Sequence, residues 1–100
     1  MEKKVFSFTI IAIDGGDKVV LQNTRVNNDE SSALDEYFAL ERMRDELRSR
    51  FENVEFELLF DVFCEDREMN SLARYEFFSK VLEIKNKARL PFENIIMIKL

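Results

Sequence analysis

The chain has 100 residues, of which 46% are hydrophobic, 2 are Gly and 1 is Pro, so it can bury one core and has little flexible linker. It contains no His and a single Cys, which removes the commonest general base, any internal disulfide and any cysteine metal cage. The formal net charge of −5 disfavours a nucleic-acid partner. No apolar run approaches the roughly 20 residues that a membrane span requires.

Two strands are predicted first, over residues 4–13 and 18–26, joined by the Asp-Gly-Gly-Asp loop at 14–17. Two adjacent glycines suit a type I′ hairpin turn, in which both central residues take a positive φ angle. Counting back from this turn pairs Ser7 with Thr24. The hairpin would then have a Phe-rich inner face and a polar outer face.

A first helix is predicted over residues 33–51, because Ser32 and Asp35 match the S-x-x-[DE] capping pattern. An apolar stripe runs along this helix and consists of Ala33, Tyr37, Leu40, Met43, Leu47 and Phe51. Leu34 and Phe38 neighbour each other away from the centre of that stripe. Two interpretations stay open for this pair: an edge packed under a loop, or an exposed anchor for a partner.

The clearest strand is predicted over residues 54–64, where side chains of two kinds alternate. The apolar face consists of Val54, Phe56, Leu58, Phe60, Val62 and Cys64. The other face carries Glu55, Glu57, Asp61 and Glu65, which we call the acidic row, interrupted by Leu59 and Phe63.

A second helix is predicted to begin at one of three competing caps, Asp66, Asn70 or Ser71, and to end by residue 90, before Pro91. Its apolar surface is wider than a helix resting on a sheet requires. The surplus stripe of Tyr75, Phe78 and Leu82 either packs on the first helix or mediates self-association. Residues 95–100 are predicted to form a short final strand.

The element order is therefore β-β-α-β-α-β in a single domain spanning residues 1–100. Strands linked by helices of this length are usually parallel neighbours with right-handed crossovers. We expect an α/β fold of the two-layer α+β sandwich type. It would have a four-stranded mixed sheet with both helices on one face.

The acidic row admits three functional interpretations besides an ordinary solvated strand face. Paired carboxylates hold Mg²⁺ or Mn²⁺ in some phosphoryl-transfer enzymes, and regularly spaced anions imitate a nucleic-acid backbone. A row of acids also suits a basic surface on a protein partner. Leu59 and Phe63 among acids resemble an apolar centre with a charged rim, which favours a protein partner.

The leading hypothesis is a small acidic interaction module, not an enzyme, that binds and inhibits a basic partner protein. Immunity proteins, antitoxins and phage-encoded blockers are proteins of this physical type. The alternatives are a small metal-dependent hydrolase or nuclease using the third strand, and a homodimeric assembly subunit. No catalytic residue, metal or cofactor is predicted, and the lone Cys64 favours a reduced, cytoplasmic location.

Overall fold

The structure, a computed structural model, describes the backbone of residues 3–99 and the side chains of residues 3–88. The elements are β1 (Lys4–Asp14), β2 (Asp17–Asn27), α1 (Glu30–Arg50), β3 (Glu55–Cys64), a short 3-10 helix (Arg67–Met69) and α2 (Asn70–Lys99). Over the described residues this is an α+β fold with two α-helices and a three-stranded antiparallel sheet of order β2-β1-β3. The prediction of a four-stranded sheet with mixed strand directions is therefore wrong.

The hairpin turn between β1 and β2 has the predicted glycine geometry. Gly15 and Gly16 have φ angles of 57° and 95°, and Asp14 pairs with Asp17. Both values lie in the region that favours glycine. The turn therefore has the backbone geometry that the two adjacent glycines predict.

The predicted register fails farther from the turn, because the pairing shifts between Ile10 and Ile11. Ile10 pairs with Gln22 and Ile11 with Val20, so Leu21 is an extra residue in β2. Side chains alternate between the two faces of a strand, so a one-residue bulge reverses the face predicted for every residue of β2 beyond it.

The bulge decides which end of β2 reaches the core. Val26 pairs with Phe6 and packs partly buried against the core, while Arg25 pairs with Ser7 on the outer side instead of facing inwards. Asn23 also turns outwards, where its amide donates a 2.7 Å hydrogen bond to Thr9 Oγ1. The shift thus directs Val26 towards the core, where the predicted register would have placed Arg25.

The core lies between the sheet and both helices, which pack on the same face. Its buried residues are Phe6, Phe8 and Ile10 of β1, Val62 of β3, Ala33, Tyr37 and Leu40 of α1, and Ala73, Phe77 and Val81 of α2. Phe77 is central, with its ring centroid 5.2 Å from that of Phe6 and 5.7 Å from that of Phe8. The even-numbered residues of β1 and β3 therefore form the inner face of the sheet.

Ion pairs add to the contact between the two helices. Lys85 Nζ lies 2.6 Å from Glu41 Oε2, and Lys80 donates to the Glu30 carboxylate. This hydrogen bond, together with the charge of Glu30, raises the pKa of Lys80. The lysines near the end of the predicted second helix thus connect α2 to α1.

Helix α1 begins three residues earlier than predicted, because Asp29 is its N-cap. The Asp29 carboxylate accepts hydrogen bonds from the Ser32 backbone N–H at 3.0 Å and from the Ser32 hydroxyl at 2.7 Å. These bonds lower the pKa of Asp29. Ser32 acts as a donor to the cap and not as the cap itself.

Helix α2 continues through Pro91 to Lys99, so the predicted strand over residues 95–100 is wrong for 95–99; residue 100 lies outside the described residues. A short apolar run fits a helix or a strand equally well by its pattern. A fourth strand beside β3 would also compete with side chains that already form hydrogen bonds to backbone groups of Phe56, Val62 and Cys64 at this edge.

No helix of the described chain is both long and apolar enough to cross a membrane.

Candidate binding face on the open side of the sheet

The odd-numbered residues of β1 and β3 share the sheet face that points away from the helices, here called the outer face. The register pairs Val5 with Phe63, Ser7 with Asp61, Thr9 with Leu59, Ile11 with Glu57 and Ile13 with Glu55. Directly paired residues project to the same face of a sheet. The acidic row within β3 and its two apolar residues therefore lie together on one surface.

Apolar side chains on the outer face are partly open to solvent. Leu59 is 49% exposed and Phe63 is 44% exposed. The sequence prediction missed Val20, which is also exposed and pairs with the buried Ile11 on this face. The Val-Val-Leu run after the hairpin turn could have indicated an exposed apolar patch. Which of its side chains points to the outer face, however, depends on the bulge.

Charge on the outer face is divided between its two edges. Glu55, Glu57 and Asp61 lie on β3, whereas Lys18 and Arg25 lie on β2. Lys18 is across from Glu55 and Arg25 is across from Asp61, each about 10 Å away over two strand spacings. Among the described residues, no Lys or Arg forms an ion pair with Glu55 or Glu57. The acidic surface is therefore a stripe along β3 and not the whole face.

Asp61 differs from the other acids of the row because its carboxylate has structural partners. Asp61 Oδ1 accepts a 2.8 Å hydrogen bond from the Val62 backbone N–H and lies 3.9 Å from Arg74 Nη1. Glu65 is exposed just beyond the end of β3. The carboxylates most available to a partner are thus those of Glu55, Glu57 and Glu65.

The side of β3 away from β1 is an edge of the sheet within the described chain. Its backbone groups are capped near both ends. The Arg48 guanidinium donates to the Phe56 carbonyl at 2.8 and 3.1 Å, and the Cys64 N–H donates to Asn70 Oδ1 at 2.7 Å. The Val62 backbone N–H also donates a hydrogen bond, to Asp61 Oδ1. The part of the edge without such side-chain caps is therefore the stretch around Leu58 and Phe60.

Leu34 and Phe38 are not brought together with the acidic row. Both are partly buried and pack against the core on the helix side of the sheet. The Phe38 ring meets that of Tyr37 edge-on, with centroids 5.7 Å apart. The two halves of the predicted partner-binding set therefore lie on opposite sides of the sheet.

The stripe of Tyr75, Phe78 and Leu82 forms a second surface, on α2. All three side chains are exposed. Phe78 rests on Phe60 of β3, with ring centroids 5.8 Å apart and planes 16° apart. The interpretation in which this stripe is buried against α1 is therefore wrong.

Acidic and cysteine side chains in the described part of the chain do not assemble a metal centre. Within residues 3–88, no three His, Cys, Asp or Glu side chains are grouped closely enough to hold a metal ion. Burial raises the pKa of Tyr37, and the nearby Glu41 carboxylate adds to this effect. Tyr37 is part of the aromatic core, and its burial there accounts for the raised pKa.

Comparison with known proteins adds no functional assignment: no protein-family model, curated protein or solved structure matches the chain.

Proposed function

We propose that the chain is a small protein-binding module whose outer face docks onto a basic surface of a partner protein. One observation carries the proposal. Glu55 and Glu57 are without ion pairs in the described structure, and they lie beside the exposed side chain of Leu59. Phe63 extends the apolar part of the same face towards the other end of β3.

The two kinds of side chain suit different parts of binding. Leu59 and Phe63 supply apolar area whose burial stabilises a complex and slows its dissociation. Glu55, Glu57 and Glu65 supply negative potential, which speeds association with a basic surface and disfavours acidic competitors. Covering a functional basic site would inhibit the partner, as immunity proteins and antitoxins do.

The test begins with affinity capture from lysate of the source cell, followed by binding kinetics on the captured protein. The double variant Glu55→Gln/Glu57→Gln removes two charges from the outer face. The matched control, Asp35→Asn/Glu36→Gln, removes two charges from α1, across the sheet. We expect the first variant to associate at least several-fold more slowly at low salt, and the control to associate as the wild type does.

Salt and apolar variants separate the two contributions. The association rate of the wild type should fall as salt rises, because exposed charges are screened beyond about 8 Å at physiological ionic strength. Leu59→Ser should mainly raise the dissociation rate. If the Glu55/Glu57 variant and its control bind every captured protein alike at low salt, the outer face is not the docking surface.

The metal-dependent alternative gives a different result with the same proteins. A metal site at the acidic row would take up Mn²⁺ in calorimetry and would lose that binding in the Glu55/Glu57 variant. Our proposal expects no saturable Mn²⁺ binding by the wild type. Saturable binding that the variant abolishes would favour the hydrolase or nuclease alternative.

A further inference from the structure

The backbone groups of β3 that face away from β1 can be identified from the pairing of the hairpin. The Asn28 N–H donates to the Lys4 carbonyl at 2.7 Å, so the even-numbered residues of β1 point towards β2. Backbone groups alternate in direction along a strand, so the odd-numbered residues of β1 point towards β3. Because these residues pair with odd-numbered residues of β3, the even-numbered residues of β3 direct their N–H and C=O groups to the open edge.

Two residues on this edge have outward backbone groups that form no hydrogen bond within the described chain. They are Leu58 and Phe60, which lie between the capped Phe56 carbonyl and the capped Val62 N–H. Together they present two N–H donors and two C=O acceptors. An extended segment placed antiparallel beside them would form four hydrogen bonds, which is the binding mode called β-strand addition.

A hollow opens beside the same edge, on the helix side of the sheet. It has a volume of about 370 Å³ and is lined by Ser71, Arg74, Tyr75 and Phe78 of α2, together with Phe60. The residue of an added strand that lies opposite Phe60 projects to the same face as Phe60. Its side chain would therefore enter the hollow, where three aromatic rings favour an apolar group.

Charge on the outer side of the edge selects which end of the added segment is basic. Glu57 has no ion pair within the described residues. Asp61, at the other end of the open stretch, already accepts the Val62 N–H and has Arg74 3.9 Å away. A basic side chain opposite Glu57 gains an opposite charge, whereas one opposite Asp61 meets Arg74. The favoured segment is therefore basic at the Glu57 end.

A second copy of β3 fits this edge poorly. An antiparallel pair that uses both Leu58 and Phe60 has Leu59 of each copy on the two-fold axis. Glu57 of each copy would then lie opposite Asp61 of the other, and like charges directly opposite each other are destabilising. The charges of the edge thus favour a different chain.

We infer that the edge of β3 binds an extended, antiparallel segment of a partner protein, with an apolar residue opposite Phe60 and a basic residue opposite Glu57. The open stretch covers residues 57–61, roughly 16 Å of strand. In an antiparallel segment the apolar residue comes first and the basic residue follows three positions later. The inference rests on the proposed function, since Glu57 belongs to the outer face, and it adds backbone pairing that docking of the outer face alone does not require.

The test uses the acetylated peptide amide Thr-Leu-Thr-Val-Lys-Thr, in which Leu matches the hollow and Lys matches Glu57. Nuclear magnetic resonance titration of the isotope-labelled full chain follows the backbone amides of Leu58 and Phe60. We expect both amides to shift, with a dissociation constant in roughly the millimolar range, because the interface is small. The control peptide with Glu in place of Lys should bind several-fold more weakly. Absence of these shifts at about 5 mM peptide would overturn the inference.

N-methylation of the peptide separates backbone pairing from general attraction to the acidic face. A methyl group on the Val nitrogen removes the N–H that donates to Leu58, and it should weaken binding at least about fivefold. A methyl group on the nitrogen of the Thr between Leu and Val should change the affinity by less than about twofold, because that N–H points to solvent. Equal effects of the two methyl groups would overturn strand addition.

Variants of the chain test the hollow. Tyr75→Ala removes a ring that is 70% exposed and lines the hollow, so it should weaken peptide binding at least about threefold. Leu72→Ala is the matched control, because Leu72 is 47% exposed on the same helix but does not line the hollow. Circular dichroism establishes that each variant is folded. Equal affinities of the two variants would contradict entry of the Leu side chain into the hollow.

Failure of this inference can be distinguished from failure of the proposed function. If the peptide does not bind but a captured partner still depends on Glu55 and Glu57, strand addition is wrong and the outer face remains the docking surface. If the peptide binds as expected but no captured partner depends on Glu55 and Glu57, the proposed docking through the outer face is wrong instead.

Discussion

Asp61 closes part of the open sheet edge, because its carboxylate accepts a 2.8 Å hydrogen bond from the backbone N–H of Val62, the next residue. The even-numbered residues of β3 direct their backbone groups away from β1, towards this edge. Exposed edge groups are templates for pairing with another chain. One member of the acidic row thus has a structural role that an acidic strand pattern alone does not indicate.

The first prediction follows from this contact. Asp61→Ala should expose the Val62 N–H and promote aggregation on heating, while water limits the loss of stability to about 1 kcal/mol. Glu57→Ala removes the same charge from the same face without uncapping the edge. Light scattering during thermal unfolding should therefore show earlier aggregation for Asp61→Ala than for Glu57→Ala. Identical onset temperatures would contradict the edge-capping role.

Arg48 provides a second test of the edge. Its guanidinium makes two hydrogen bonds to the Phe56 carbonyl, whereas Arg50 pairs with Glu46 on the exposed surface of α1. Arg48→Ala should lower the free energy of unfolding by about 1–2 kcal/mol, because a charge-assisted bond is lost. Arg50→Ala should change it by less than about 0.5 kcal/mol. Urea denaturation distinguishes the two, and equal effects would contradict the assignment.

The sequence predicts those parts of the fold that depend on neighbours in the chain. The glycine turn, the long amphipathic α1 and the alternation of β3 all follow from local pattern. The bulge at Leu21 does not, because the choice between Val26 and Arg25 as a core residue is made by the surface presented by β1 and the helices. A tertiary preference of this kind has no local signature.

The candidate binding face is likewise only partly predictable from the sequence. Alternation in β3 places Glu57 and Leu59 on one face, which the register confirms. The pattern does not reveal that Asp61 bonds to the backbone, because that contact depends on β3 being at the edge of the sheet. It also does not separate Phe38 from the acidic row, since a helix wheel contains no information about which side of the sheet the helix covers.

Asp29 gives the third prediction, which concerns pH. Hydrogen bonds from Ser32 lower the pKa of Asp29 below its ordinary value of 3.8. A lowered folded-state pKa contributes stability above the unfolded-state value, and this contribution is lost as pH falls through the folded-state pKa. The melting temperature of Asp29→Asn should therefore lie below that of the wild type at pH 7, and the gap should narrow below pH 3.8. Asp35→Asn is the control, and a gap that does not change with pH would contradict the cap assignment.

The hairpin turn gives the fourth prediction. Gly16 has a φ angle of 95° and Gly15 a φ angle of 57°, while a Cβ atom at either position would meet no atom within 4 Å. Any cost of substitution therefore comes from the backbone. Gly16→Val should destabilise by about 1–3 kcal/mol, whereas Gly15→Asn should cost much less, because Asn tolerates the left-handed region. Thermal unfolding compares them, and equal losses would contradict the turn geometry.

Phe77 and Phe78 are adjacent on α2 but have different environments, which gives the last prediction. Phe77 is buried among the rings of the core, whereas Phe78 is partly exposed and has one stacking contact, with Phe60. Phe77→Ala should lower the free energy of unfolding by about 3–5 kcal/mol, because it leaves a cavity at the centre of the core. Phe78→Ala should cost about 1 kcal/mol, the typical value of an aromatic pair.

The comparison is made by urea denaturation at one fixed protein concentration. Phe77→Leu is the conservative control, and it should recover part of the loss by refilling the cavity. Equal costs for Phe77→Ala and Phe78→Ala would mean that the face of α2 assigned to the core is wrong.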